Sequence, residues 1–313
     1  MSTPATSQRE PADGFVPVGD VRLHYRDWGG PARDTGADPT PLLLLHGLAS
    51  AARIWDLVAP TLALDRRVVA LDQRGHGLSD KPDSGYDFGT ITADDLEAAD
   101  ALGLGRRFAV AGHSWGANVA LELAARQPER VSSLLLVDGG FGLLRERPGA
   151  TWEQISRDLA PPRFAGTPRE TFLGWIRQSI PAVDPAVEEI ELNIVELRAD
   201  DTVAPRLSFE HHMRILRAMW DEQADDLFGS VHAPTLYVLA EGLRSQAGAV
   251  EDGFVAAKRR GAQLARQRMT SAPTVEVLWM ADTVHDIPLQ RPAALAARMV
   301  DFLLATDARP PQP

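Results

Sequence analysis

The stretch FAVAGHSWGANVALELA, residues 108–124, constrains this chain more than any other. A short apolar run meets Gly112-His113-Ser114-Trp115-Gly116 and passes directly into an Ala/Leu-rich helical pattern, Trp115–Arg126. Strand, G-x-S-x-G and helix, in that order, make a nucleophile elbow. The turn is so tight that side chains two positions from Ser114 would collide, which is the physical reason for both flanking glycines. Its effect is to hold the Ser114 hydroxyl at a sheet edge, above a helix N-terminus whose dipole favours negative charge.

The rest of the chain supplies a sheet for that elbow to belong to. Val21–Arg26 alternates apolar and polar residues. Leu42–Leu45, Arg67–Leu71, Phe108–Ala111, Ser133–Val137, Leu236–Leu239 and Val275–Trp279 are short apolar runs. Continuous runs of this length suit strands buried on both faces. Between them, Thr92-x-x-Asp95 reads as a capping box opening a helix to about Leu102. Pro292 suits the first turn of a C-terminal helix with Leu295, Met299, Phe302 and Leu303 on one face. The β-then-α alternation predicts an α/β fold, a doubly wound, mostly parallel sheet with right-handed crossovers.

The alternation lapses between about Phe141 and Ser230, where helical patches, prolines and large aromatics (Trp152, Phe164, Phe172, Trp175, Trp220, Phe228) take over. We expect a mostly helical cap over residues 141–230, packed on one edge of a core made of 15–140 and 231–306. Pro-rich and polar stretches at 1–14 and 307–313 are expected to be loose tails.

Composition removes several function classes. A net charge of −11 argues against a nucleic-acid partner, because phosphate binding needs clustered Lys and Arg. The basic run Lys258-Arg259-Arg260, with Arg266 and Arg268 beyond it, falls in a helical stretch and reads as a solvated face. The chain has no cysteine, which excludes disulfides, thiolate catalysis and cysteine-ligated zinc. The first residues, MSTPATSQREPADG, contain no apolar signal core, and no window approaches the roughly 18–20 apolar residues of a membrane span. The expectation is a soluble cytoplasmic protein acting on a small molecule, with no membrane partner and an oligomeric state the sequence does not encode.

Of the eight histidines, His285 alone lies in a loop between a late strand and a helix, where it can serve Ser114 as general base. His211 and His212 are adjacent on a helix and so face different ways. His24 and His232 lack carboxylates at metal-ligand spacing. No metal site and no cofactor are expected.

At these residues the sequence resembles the α/β-hydrolase fold superfamily, and the likeness runs along most of the chain. LLLLHGLAS (42–50) resembles the loop after the family's third strand, ALDQRGHGLSDKP (70–82) its D-x-R-G-x-G-x-S segment, ERVSSLLLVD (129–138) its sixth strand, and TVHDIPLQRP (283–292) its histidine loop. The resemblance implies an eight-stranded sheet. It also implies an oxyanion hole made by the backbone N–H groups of Leu48 and Trp115. His46, Gly47, His113 and the Asp72–Gly77 turn are expected to shape loops, and the Trp115 indole to pack or line the pocket entrance.

A Ser–His pair needs a carboxylate to hold the imidazole tautomer. In most of the family this acid follows the seventh strand, where the chain reads AEGLRS with Leu243 at the expected position. Two carboxylates remain. Glu241 lies two residues early, about 6–7 Å down an extended strand. Asp138 ends the sixth strand, the placement found in zearalenone lactonases and one branch of haloalkane dehalogenases. With the usual position empty, Asp138 is preferred and Glu241 is the alternative. Asp286, adjacent to His285, is expected to point away from it.

Serine rather than aspartate at the elbow disfavours dehalogenase and epoxide hydrolase chemistry and suits acyl transfer. A serine hydrolase of esters or lactones is the leading expectation. Amide, thioester or carbon–carbon hydrolysis, and a hydrolase-like small-molecule receptor with little turnover, are the alternatives. The cap aromatics, with Trp152, Trp175 and Trp220 as candidate pocket residues, suggest a fairly apolar substrate.

Overall fold

The computed structural model describes residues 10–31, 39–142, 144–145, 149–180, 184–222, 224–243 and 253–308. The chain opens on an antiparallel hairpin, β1 (Ala12–Val18) and β2 (Val21–Gly29), closed by a two-residue turn in which Gly19 takes a positive φ of 48°. Then follow β3 (Leu42–Leu45), α1 (Ala59–Leu62), β4 (Val68–Leu71), α2 (Phe88–Ala101), β5 (Phe108–His113), α3 (Trp115–Arg126) and β6 (Val131–Val137). An insertion carries α4 (Trp152–Asp158), β7 (Thr167–Pro168), α5 (Arg169–Ser179), α6 (Ala186–Leu192), β8 (Val195–Leu197), β9 (Thr202–Pro205) and α7 (Phe209–Asp221). The core resumes with β10 (Thr235–Ala240), α8 (Gly253–Arg268), β11 (Val275–Met280), α9 (Ile287–Gln290) and α10 (Pro292–Asp307).

The main sheet has eight strands in the order β1-β2-β4-β3-β5-β6-β10-β11. Pairings within β1-β2-β4 are antiparallel and all others are parallel. The apolar runs are buried on both faces, as their composition requires. Leu43 and Leu45 of β3 enter the core on one side of the sheet, with residues of α2 and α3; Leu42 and Leu44 enter the other, with residues of α1 and α10. The face predicted for the last helix, Leu295, Met299, Phe302 and Leu303, is wholly inside that second core.

Three expectations need correction. Helix α2 begins at Phe88, not at Thr92: the Asp87 side chain accepts the Thr90 N–H at 2.9 Å and caps the helix a turn earlier. Thr92 instead donates its hydroxyl to the Phe88 carbonyl, and Asp95 is buried in mid-helix. The stretch expected to be a loose tail through residue 14 contributes Ala12–Gly14 to β1, an edge strand whose Pro17 is tolerable only at an edge. At the other end Asp307 closes α10 and pairs with the buried Arg66 at 2.8 Å; residues 1–9 and 309–313 lie outside the described residues. The insertion, expected to be mostly helical, also contains a small antiparallel sheet in the order β7-β9-β8.

Candidate active site

The elbow is built as its glycines dictate. Ser114 sits between β5 and α3 with φ 55° and ψ −120°, a backbone conformation that side-chain-bearing residues avoid. A Cβ on Gly112 would fall inside the Gly116 carbonyl, and one on Gly116 inside the carbonyl of His46. Gly112→Ala is therefore expected to destabilise the protein by about 4 kcal/mol or more, since only backbone movement relieves the clash. Denaturant unfolding checks this; a loss under about 1 kcal/mol would show that the turn is not tight.

Two further positive-φ residues lie beside it, Ala49 (59°) and Asp138 (53°). Ala49 belongs to a turn closed by the Ser50 N–H on the Gly47 carbonyl at 3.1 Å, with Leu48 at its corner. That loop runs over the serine: a Cβ on Gly47 would come within 3.0 Å of the Ser114 Cβ. Trp115 is the first residue of α3, so its N–H has no acceptor within the helix. The Trp115 indole is buried and stacked on His76 at 5.2 Å, so it packs rather than lining an entrance.

Sheet register brings the remaining residues to the same edge. The Ser114 N–H donates to Val137, the residue before Asp138, and the Asp138 N–H donates to Val238 of β10. His113 is buried and gives its Nε2–H to the His285 carbonyl at 3.0 Å, drawing the histidine loop onto the elbow. Burial, then the charge of His285, lowers the His113 pKa to about 4, so this ring is neutral.

Asp138 accepts from His285 Nδ1 at 2.7 Å through Oδ2. This leaves the proton on Nδ1 and the lone pair on Nε2. Oδ1 accepts the Ala240 N–H at 2.8 Å, and Lys258 Nζ lies 2.9 Å from each oxygen. Burial alone would raise the Asp138 pKa; the bonds and charges of His285 and Lys258 outweigh it and hold the carboxyl below its ordinary range. For His285, desolvation pulls the pKa down, and the hydrogen bond and charge of Asp138 more than reverse this, leaving it raised. With 51% of its side chain reached by solvent, His285 keeps part of its hydration, so the desolvation cost is incomplete and the Asp138 bond dominates.

Of the two candidate acids, the structure brings Asp138 to His285. Glu241 instead pairs with Arg259 at 3.7 Å. Leu243 ends the described strand-to-helix loop without polar function. Asp286 caps the short α9 and accepts the Gln290 N–H through its backbone carbonyl. Among the described contacts none joins Trp152, Trp175 or Trp220 to these residues. Trp152 and Trp220 pack on each other at 6.3 Å, under Arg217 and Arg145, and Trp175 is 44% exposed. The Trp152 and Trp220 rings thus hold α4 to α7.

The supporting loops behave as turns. His46 accepts the Gln73 N–H at Nε2 (3.0 Å) and donates from Nδ1 to the Gly47 carbonyl (2.8 Å). Asp72 accepts the N–H groups of Ala52 and Leu78 and bonds His24 at 2.9 Å. His24, which has no carboxylate at metal-ligand spacing along the sequence, meets two in space, since Asp13 also lies 3.2 Å away. His211 meets the Tyr86 hydroxyl at 3.0 Å, while His212 is buried beside it on α7.

Two residues escaped the sequence reading. Lys258 is buried at the acid, not on a solvated face. Glu191 of α6 has its carboxyl pushed up to about 8 by desolvation and then by the charge of Asp286, so it is protonated at neutral pH. Neither has a local motif; both depend on contacts between distant segments.

A family profile described as the alpha/beta hydrolase fold matches residues 40–192. A solved structure of E-2-(acetamidomethylene)succinate hydrolase superposes with a TM-score of 0.73 at 20% identity, covering 94% of this chain and 99% of that one, and shares its fold. The chain has the α/β-hydrolase fold, the fold of that superfamily. Within this superfamily, epoxide hydrolase 1 of Caenorhabditis elegans is 33% identical over 147 residues, 46% of this chain and 34% of that protein. The 2-(acetamidomethylene)succinate hydrolase of Mesorhizobium japonicum is 35% identical over 124 residues, 39% of this chain and 41% of that protein. The chain therefore aligns with less than half the length of these curated relatives. No helix among the described residues is long and apolar enough to cross a membrane.

Proposed function

We propose that this protein is a serine hydrolase that cleaves an ester or lactone of a small molecule through Ser114, His285 and Asp138. The observation that carries this reading is the 2.7 Å bond from His285 Nδ1 to Asp138 behind the elbow. It gives the imidazole the tautomer a general base needs, with Nε2 free to take a proton. Ser114 Oγ attacks the substrate carbonyl carbon as its proton passes to Nε2. The backbone N–H groups of Leu48 and Trp115 receive the oxyanion, each worth about 3–4 kcal/mol in such a role. The imidazolium then protonates the leaving alkoxide oxygen, the carbon–oxygen bond breaks, and an acyl-enzyme remains. Water, deprotonated by Nε2, releases the acid by the same steps. Two of the curated relatives bear the name epoxide hydrolase, a reaction that calls for a carboxylate nucleophile; the elbow here carries Ser114.

The test is a panel of p-nitrophenyl esters and simple lactones, followed in single-turnover and steady-state modes. Acylation followed by sustained turnover is expected. Stoichiometric acylation without turnover would favour a receptor, and no acylation of Ser114 would overturn the reading. The pH dependence is a second check. His285 works as the neutral base and its pKa is raised, so kcat/KM rises as pH passes upward through a value above 6.5. Stability runs the other way: the contribution of charged His285 is full below its unfolded pKa and is lost as pH rises through the folded one. A flat rate profile between about pH 5 and 8 would exclude His285 as base.

A further inference from the structure

Lys258 occupies a place that general acyl-transfer chemistry does not require. It lies on α8, in a basic run whose other members, Arg259 and Arg260, are exposed, yet its own side chain is buried. Its ammonium has three donors, and three acceptors surround it: Asp138 Oδ1 and Oδ2, each at 2.9 Å, and the Ala240 carbonyl at 3.0 Å. With Ala240 N–H on Oδ1 and His285 on Oδ2, each carboxylate oxygen accepts two hydrogen bonds. This carboxylate cannot rotate without breaking several of them.

We propose that Lys258 is a positioning residue whose ammonium clamps both oxygens of Asp138 and tempers that carboxylate's hold on His285. The inference rests on the reading of Asp138 as the acid partner of His285. A lone buried carboxylate would attract the imidazolium more strongly and raise the pH at which the base is freed. A cation bonded to the same carboxylate cancels part of that attraction, so the imidazole is freed at lower pH. The ammonium cannot replace Asp138, because it offers no acceptor to Nδ1–H. Lys258 also ties α8 to the ends of β6 and β10 at one point, fixing the acid's oxygens in register with the histidine loop.

The other groups near His285 do not supply this cation. Asp138 and Asp286 are anionic and favour the imidazolium. His113 at the end of β5 is neutral, Glu191 of α6 is protonated at neutral pH, and Glu241 is paired with Arg259. The positive charge that opposes protonation of His285 comes from Lys258.

The test compares Lys258→Met, Lys258→Gln and Lys258→Arg, with Arg260→Gln as a control for loss of one positive charge on the same helix. The readouts are the pH dependence of Ser114 labelling by a fluorophosphonate and an NMR titration of the His285 ring, which does not require activity. Both neutral variants are expected to move the His285 titration upward by about one pH unit. Gln keeps donors for Asp138 but lacks the charge, so it separates charge from hydrogen bonding. Lys258→Arg and Arg260→Gln should leave the titration in place. A midpoint that stays or falls in both neutral variants overturns the proposal. So does failure of both to fold, which would make the lysine a structural brace. Should the Lys258 variants behave normally while Asp138→Asn abolishes activity, the lysine proposal alone fails. If Asp138→Asn is fully active, the reading of Asp138 fails first.

Discussion

Ser114→Ala abolishes labelling by a fluorophosphonate and lowers ester turnover by on the order of 10⁶-fold, the scale on which loss of a nucleophilic serine acts. No neighbouring group can take its place. The tight turn that exposes Ser114, framed by glycines at 112 and 116, presents no other nucleophilic side chain at that point. The adjacent His113 is committed to the His285 carbonyl. Because alanine tolerates the same backbone no worse than serine, the fold should survive, and unfolding midpoints of the two proteins should agree closely. Persistent stoichiometric labelling of the variant, located by mass spectrometry, would move the nucleophile elsewhere and remove the basis of the proposed reaction.

The second large effect is expected at Asp138. Asp138→Asn keeps the side-chain shape but turns one acceptor into a donor, so His285 is driven toward the wrong tautomer and its imidazolium loses its counter-charge. A fall in kcat of about 10⁴-fold is the expected size, with KM little changed. Lys258 sharpens the outcome, since the amide would confront an ammonium that already uses its donors on this group. Glu241→Gln serves as the comparison. Its carboxylate pairs with Arg259 at the helix surface, and its loss should cost less than about threefold. The reverse pattern, a large loss at Glu241 and a small one at Asp138, would show that the acid had been wrongly assigned.

The features legible in the sequence are those written in neighbouring residues. The elbow, the apolar runs of β3, β4 and β5, and the buried face of α10 follow from periodicity and glycine placement within one segment. Asp138 could be preferred only by elimination, from the blank at Leu243; its bond to His285 depends on two loops meeting, which no local pattern encodes. Lys258 was misread for the same reason. A lysine beside two arginines has the composition of a solvated face, and only the position of α8 against the ends of β6 and β10 turns it inward. Asp87 escaped as the cap of α2 because Thr92 and Asp95 supply a similar-looking pattern one turn later. The short strands β7, β8 and β9 are too brief to leave a period of their own.

The insertion has its own consequence for how anything reaches Ser114. Ile180, Val187 and Ile190 are embedded in the core on one side of the main sheet, while Leu207, Ile215 and Phe228 are embedded in the core on the other. Lifting the insertion as a unit would expose all six, at a cost on the order of 10 kcal/mol, comparable with the stability of a whole domain. It is riveted across both layers. Ser114 is only partly buried and the His285 side chain is 51% exposed with the insertion in place, so reaching them does not call for its removal.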